Sequence, residues 1–185
     1  MVEPTQTAVI VPVAAAEPAV ADHRSRLDQS AAWGVPAHVT VLYPFVPPAD
    51  VDPDVVRRLR EACAAVPAFD CAFAECAWFG DDVLWLAPEP DRPFRALTER
   101  VCDAFPGVLP YGGRFEDVVP HLTVGEARLG SAAELRRVAA EVGVALPVAT
   151  RIDRARLIAG TDHPGSWRTV AELPLGPPIP TLAGN

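Results

Sequence analysis

The strongest constraint on this chain is that its sequence repeats. A tetrapeptide of the pattern His-x-Thr-Val occurs at residues 38–41 (HVTV) and again at 121–124 (HLTV). Surrounding features recur at a similar shift: 83 residues separate His38 from His121, 79 separate Asp52 from Ser131, and 79 separate Phe69 from Val148. A near-constant shift over three landmarks indicates an internal duplication. We therefore expect two similar α+β lobes, related by a pseudo-twofold axis, that face each other across a central cleft.

The predicted elements follow the same duplication. Runs rich in β-branched and aromatic residues predict strands at 7–13, 38–43, 69–79, 83–87, 118–126, 148–159 and 167–173. Caps or prolines at the start and Gly or Pro at the end predict helices at 17–34, 52–67, 91–106 and 131–143. The turn at 80–82 predicts a hairpin between two of the strands. Each half thus forms a β-α-β-α-β unit, and the class is α+β with antiparallel sheets.

The length of the chain sets the domain count. A chain of 185 residues, half of them hydrophobic, suffices for one core of ordinary size. We predict a single bilobal domain at 1–175, with lobes at about 5–80 and 81–175. A loose proline-rich tail is expected at 176–185.

The two motifs place chemically useful side chains together. Residues two apart on a strand point to the same face about 7 Å from each other, so each His projects with its Thr while the valines enter the core. In-line cleavage of a phosphodiester needs a base on one side of phosphorus and an acid on the other. Two imidazoles can divide these tasks near neutral pH. The Thr hydroxyls can donate to the non-bridging phosphate oxygens.

These motifs, in a duplicated α+β chain, resemble the 2H phosphoesterase superfamily, which includes 2'-5' RNA ligase-like proteins and cyclic nucleotide phosphodiesterases. The likeness covers residues 5–175, and the flanks TVLYPF at 40–45 and YGG at 111–113 resemble a bacterial branch. The resemblance implies a bilobal LigT-like fold and metal-independent cleavage of 2',3'-cyclic or 2'-5' phosphodiester bonds. It also implies that His38 and His121 are the acid/base pair and that Thr40 and Thr123 bind the phosphate.

The net charge of the chain limits the class of substrate that it can bind. With 16 basic and 24 acidic residues the formal net charge is −8, which argues against a broad footprint on duplex nucleic acid. A small nucleotide cyclic phosphate or an RNA terminus fits this charge better than ligation of intact RNA. Arg114 and Arg168 are the arginines that could lie nearest the cleft, but solvated surface is the favoured interpretation for each.

Aromatic residues near the motifs could stack on a base. Tyr43 and Tyr111 are the predicted substrate-binding residues, since each lies beside a motif or in the glycine-containing loop before one. Phe45, Trp78 and Phe115 are further candidates, and for Phe45 and Trp78 a place in the core is the alternative.

Two other functions stay open. A zinc hydrolase needs a third ligand, which no His-x-His, His-x-x-x-His or Cys/His cluster supplies locally. A nucleotide- or RNA-end-binding module could keep the cleft without turnover. We predict no metal and no cofactor.

The remaining sequence features indicate the cellular compartment. Four cysteines, at 63, 71, 76 and 102, show no Cys-x-x-Cys spacing and predict free thiols in a reducing cytoplasm. The apolar run at 8–16 follows Glu3 rather than the positive region of a signal peptide, and no run is long enough to span a membrane. We therefore predict a cytoplasmic monomer with no membrane association and no stable protein partner.

Overall fold

A computed structural model describes residues 3–114 and 117–178. The strands are β1 (Gln6–Pro12), β2 (His38–Leu42), β3 (Phe69–Phe79), β4 (Val83–Glu89), β5 (Leu122–Glu126), β6 (Val148–Ile152), β7 (Arg154–Gly160) and β8 (Arg168–Pro174). The helices are α1 (Glu17–Leu27), α2 (Gln29–Ala32), α3 (Pro53–Ala64), α4 (Arg92–Ala104) and α5 (Ala132–Gly143). The predicted α+β class is confirmed.

Local capping explains where two of the helices begin. The Asp52 carboxylate accepts from the Val55 amide at 2.8 Å, and Pro53 is the first residue of α3. The Ser131 hydroxyl accepts from the Glu134 amide at 3.1 Å and starts α5 in the same way.

Two predicted elements are divided in the structure. The predicted helix at 17–34 ends at Leu27, because Asp28 has an extended backbone and its side chain caps the separate short helix α2. The predicted strand at 148–159 is divided at Asp153 into β6 and β7, which belong to different sheets. Sequence periodicity does not show this change of sheet, because both segments have strand-like composition.

The strands form two antiparallel four-stranded sheets. Their orders are β2-β1-β7-β8 and β5-β4-β3-β6. The two strands that carry the His-x-Thr motifs therefore occupy equivalent edge positions, β2 beside β1 and β5 beside β4. β2 and β5 also contact each other, so the two sheets meet where the motifs lie.

The predicted lobe boundaries near residue 80 differ from the observed sheets. β7 and β8, from the second half of the chain, complete the sheet of β1 and β2, whereas β3 pairs with β4 and β6. The landmarks Phe69 and Val148 consequently lie on neighbouring strands of one sheet, with Phe69 opposite Ile152 and Val148 opposite Phe73. β3 and β7 occupy the same position in their sheets, the third strand counted from the motif strand. The structural repeat therefore does not follow the order of the elements along the chain.

Helices cross between the two halves as well. α1 packs against β5, and α4 packs against β2, where the Thr98 hydroxyl donates to the Val41 carbonyl at 3.0 Å. Each motif strand is therefore supported by a helix from the other half of the chain.

One large buried core lies between the sheets and the helices. Its members include Val9, Val39, Leu59, Phe73, Leu84, Phe94, Leu97, Leu122, Leu135 and Leu157. β1 is buried on both faces: Val9 and Val11 enter this core, whereas Ala8 and Ile10 belong to a second, smaller cluster with Val35, Ile158 and Trp167. No helix among the described residues is long and apolar enough to cross a membrane.

The start of the predicted loose tail is held in place. The Ala68 amide donates to the Gly176 carbonyl at 2.9 Å, and the Gly176 amide donates to the Val66 carbonyl at 2.8 Å. Residues 179–185 of the predicted tail lie outside the described residues.

Candidate active site

The two motif histidines are held in the same way. The Nδ1 atom of His38 lies 2.7 Å from the Pro36 carbonyl oxygen, and Nδ1 of His121 lies 2.7 Å from the Val119 carbonyl oxygen. Each carbonyl belongs to the residue two positions earlier in the chain. Because a carbonyl can only accept a hydrogen bond, both Nδ1 atoms carry a proton and donate it. In the neutral form of each ring, Nε2 is therefore the atom with a free lone pair.

The register of β2 places one motif on the cleft face of its sheet. Thr40 lies opposite Ile10 of the smaller apolar cluster, whereas Val39 lies opposite Val11 of the main core. In the second motif, Leu122 and Val124 are fully buried while His121 and Thr123 stay half-buried. The predicted alternation of polar and apolar faces is thus present in both motifs.

Both His-Thr pairs line one cleft of about 810 Å³. Tyr43 and Tyr111 line it too, so the structure brings all six residues singled out from the sequence into one cavity. The pKa of His38 is lowered to about 4, first by burial and then by the Arg24 guanidinium, with a smaller contribution from His121. Burial also lowers the pKa of His121. Both rings therefore favour the neutral form.

Aromatic rings surround His121. Its ring packs edge-on against Phe79, with centroids 5.0 Å apart, and against Trp85, with centroids 5.9 Å apart. Phe79 and Trp85 stack on each other at 4.8 Å. Our sequence analysis missed both rings as site residues. The predicted hairpin contained the signal, because strand alternation places positions 79 and 85 on the same face.

The two tyrosines join the motif regions through the backbone and the side chains. The Tyr111 amide donates to the Tyr43 carbonyl at 2.6 Å, and the side chains of Tyr111 and Thr40 are hydrogen-bonded. The Tyr43 hydroxyl donates to Gln6 Oε1 at 2.5 Å. Burial is the main cause of a raised pKa for both phenols.

Tyr111 adopts a backbone conformation that is unusual for its residue type. Its φ of 51° lies in the left-handed region, in a short turn at Pro110–Gly113. Such a conformation is uncommon for an aromatic residue and persists only where surrounding contacts impose it. The bond to the Tyr43 carbonyl is one such contact, and it holds the loop beside the end of β2.

The other predicted candidates are distributed differently. Phe45 is buried and packs edge-on against Phe105, and Trp78 packs against the main core, so the core alternative holds for both. Arg114 lines the cleft, whereas Arg168 does not and donates instead to the carbonyls of Gly165 and Trp167. Phe115 lies outside the described residues.

Metal-donor side chains do not gather anywhere in the described part of the chain: no group of three or more His, Cys, Asp or Glu is placed to hold an ion. All four cysteines are free thiols, as predicted, with Cys63 and Cys71 buried and the other two half-buried. Burial raises the pKa of Cys63 to about 12, which leaves that thiol protonated and unreactive.

Solved structures with this architecture include LigT of E. coli in complex with NADP+, with a TM-score of 0.56 and 16% sequence identity over 95% of this chain and 99% of LigT. The LigT complex with 3'-AMP gives 0.56 and 17% over 94% and 99% of the respective chains. The protein TT0787 of Thermus thermophilus gives 0.62 and 15% over 93% and 98%. No curated protein matches the sequence. At these identities the likeness shows the fold.

Two four-stranded sheets that meet at strands carrying paired His-x-Thr motifs give this chain the fold of LigT and of a solved phosphoesterase. A family model of the 2'-5' RNA ligase superfamily matches residues 11–164. The chain belongs to this superfamily.

Proposed function

We propose that this protein is a metal-independent phosphodiesterase that cleaves 2',3'-cyclic phosphate or 2'-5' phosphodiester bonds of nucleotides or RNA ends. The proposal rests on one observation: the two imidazoles have the same hydrogen bond and the same free ring nitrogen. Each donates Nδ1–H to a carbonyl and keeps Nε2 available in a shared cleft that also contains both Thr hydroxyls. One Nε2 can take a proton while the other gives one, as in-line displacement requires.

The chemistry needs only these side chains and water. One Nε2 removes a proton from water as its oxygen attacks phosphorus. The bond from phosphorus to the water oxygen forms as the bond to a ribose oxygen breaks, and the second imidazole protonates that departing oxygen. The hydroxyls of Thr40 and Thr123 donate to the non-bridging oxygens, where negative charge accumulates. Thr40 exchanges its bond to Tyr111 for one to phosphate in this step.

The charges around the cleft favour a small substrate. Its lining carries three carboxylates, and each is paired with an arginine: Asp28 with Arg24, Asp117 with Arg95 and Glu126 with Arg128. The other arginine of the lining, Arg114, is the cation suited to a terminal phosphate. A duplex RNA would need more cationic surface than this. The solved LigT complexes hold NADP+, 3'-AMP and ATP, which are ligands of the proposed size.

We assign the substrate contacts beyond the phosphate to Tyr43 and Tyr111. Both rings line the cleft beside the motifs, where a base or ribose attached to the phosphate would lie. The proposal requires no cofactor and no stable protein partner, and it describes a cytoplasmic monomer.

The direct test is turnover of defined substrates. Purified protein is incubated in EDTA with the four nucleoside 2',3'-cyclic phosphates and with 2'-5'-linked dinucleotides, and products are separated by chromatography. We expect hydrolysis of at least one substrate by the wild type. His38→Gln and His121→Gln should each lose at least about 10²-fold in kcat/KM, because each removes one proton-transfer group.

The chain offers a matched control in His163→Gln, since His163 is exposed and lies outside the cleft. This variant should retain wild-type activity. Binding of 3'-AMP without turnover of any substrate would favour a nucleotide-binding module instead, and loss of activity in EDTA would contradict the two-histidine mechanism.

A further inference from the structure

A buried ion pair lies in the cleft wall beside the first motif. Arg24, at the end of α1, and Asp28, which caps α2, are 2% and 4% exposed, and their side chains are 2.9 Å apart. Asp28 also accepts from the amide and the hydroxyl of Ser30, at 2.9 and 2.8 Å. Of this group, Asp28 and Ser30 line the cleft directly. A charged pair this deeply buried is costly to desolvate, so its place beside a catalytic histidine calls for a functional account.

The pair is connected to the segment that holds His38. The Arg24 guanidinium donates to the Val35 carbonyl at 3.4 Å, and the Val35 amide donates to the Ser30 carbonyl at 3.0 Å. The next peptide carbonyl, that of Pro36, is the acceptor for His38 Nδ1. α1 also holds the end of this segment next to His38, because the Glu17 carboxylate accepts from the Ala37 amide at 2.7 Å. Side chains at both ends of α1 thus set the orientation of the imidazole.

The second motif has an equivalent arginine, but it is far more exposed: Arg95, paired with Asp91 and Asp117, donates to the Val118 carbonyl at 3.2 Å, and its side chain is 35% exposed against 3% for Arg24. His121 has the same bond to a carbonyl, but its neighbours are the rings of Phe79 and Trp85. Arg24 acts on His38 and has no comparable action on His121. The pseudo-symmetric site is therefore electrostatically asymmetric.

We infer that Arg24, paired with Asp28, is a positioning residue: it orients His38 through the Val35 and Pro36 peptides and holds a buried positive charge beside this imidazole but not beside that of His121. The use of His38 in proton transfer rests on the proposed function.

Other charged groups face His38 as well. Arg24 lowers the pKa of His38 more than Asp28 raises it, so the pair as a whole favours the neutral ring. Beyond the pair, the groups on the surrounding elements are Glu17 of α1, Tyr43, Tyr111, Arg114, Asp117, His121, Glu126 and Arg128. A test must therefore change the pair and leave these other groups in place.

The test replaces both charges at once, because removal of Arg24 alone would leave Asp28 as an unpaired buried carboxylate. In Arg24→Met/Asp28→Asn, the Asn amide oxygen can still cap α2. The titration of each imidazole is followed by NMR, with resonances assigned through His38→Gln and His121→Gln. We expect the His38 midpoint to rise by about 0.5 to 1 pH unit and the His121 midpoint to stay unchanged.

Two further variants separate charge from packing. Arg24→Lys keeps the charge and should keep the His38 midpoint low. Arg26→Met removes an exposed ion pair with Glu134 on the same helix and should change neither midpoint. An unchanged His38 midpoint in the double variant, or an equal shift of both histidines, would overturn the inference.

Kinetics then test whether the pair acts on the reaction. With a substrate found in the panel, the acid limb of kcat/KM should move up with the His38 midpoint in Arg24→Met/Asp28→Asn, and the alkaline limb should not move. An acid limb that stays in place while the His38 midpoint rises would contradict a role for the pair in the reaction. If no substrate is turned over but the His38 midpoint rises, the positioning inference stands and the proposed function fails.

Discussion

At the scale of single residues, the site depends on two equal hydrogen bonds and on unequal surroundings. The bonds from Nδ1 of His38 and His121 to carbonyls two residues earlier are intrinsic to each motif. The surroundings are not, since burial and the Arg24 cation lower the pKa of His38 to about 4 whereas burial acts on His121. The pH dependence of the free enzyme follows from this difference.

We predict that kcat/KM is bell-shaped in pH with its optimum below 6.5, the ordinary pKa of histidine. The proposed mechanism requires one neutral and one protonated imidazole. Activity should therefore fall as the pH drops through about 4, where His38 also becomes protonated. It should fall again before neutral pH, because the lowered pKa of His121 leaves both rings neutral there. Rate measurements from pH 3.5 to 8.5 in EDTA check this, and an optimum above pH 7 would contradict it.

The threonines give a second prediction at this scale. Thr40→Val and Thr123→Val keep the shape of the side chain but remove one donor to phosphate, and each should lower kcat by about 10²-fold. Thr169→Val, at an exposed position of β8, is the matched control and should retain wild-type kcat. Steady-state kinetics distinguish these outcomes. Full activity of both motif variants would remove the threonines from the mechanism.

At the scale of elements, caps and turns decide where chain segments begin and end. The Ser131 cap could be read from its spacing to Glu134, and it is present. The break at Asp28 could not be read in the same way, because the residues on either side have ordinary helical composition. It depends on Asp28 meeting Arg24 and Ser30 in the folded protein.

We predict that Ser131→Ala lowers the free energy of unfolding by about 1 kcal/mol, since it removes the cap of α5. Activity should not change, because α5 packs on β3 and β4 and none of its residues lines the cleft. Urea unfolding measures the loss, and Ser131→Asp, which keeps a capping oxygen, should restore most of it. A drop in kcat/KM with unchanged stability would be inconsistent with this structural role.

At the scale of the whole molecule, the two halves of the chain are joined by exchanged elements. β7 and β8 complete the first sheet, α1 supports β5, and α4 supports β2. A fragment ending at residue 80 would leave β1 without β7 and would expose the buried faces of β2 and β3. The duplication therefore does not produce two independent folding units.

We predict that a fragment of residues 1–80 does not fold alone. It should show a disordered circular dichroism spectrum and no cooperative urea transition, whereas the full chain should unfold in one transition. Mixing this fragment with residues 81–185 should restore structure if the exchanged elements are what each half lacks. A cooperative transition of the isolated 1–80 fragment would contradict the observed sheet arrangement.

The sequence by itself determined the α+β class, most of the elements, and the two histidines, two threonines and two tyrosines that line the cleft. These are recorded in local patterns: strand alternation, capping residues and a motif present twice. The sheet membership of β3 and β7, the aromatic contacts of His121 and the burial of the Arg24–Asp28 pair were decided only by tertiary structure. The first two depend on residues distant in sequence becoming neighbours, and the energetic gain of such pairing, through burial and hydrogen bonding, exists only after the chain has folded. Arg24 and Asp28 are four residues apart, but both are buried only when the rest of the cleft wall packs around them.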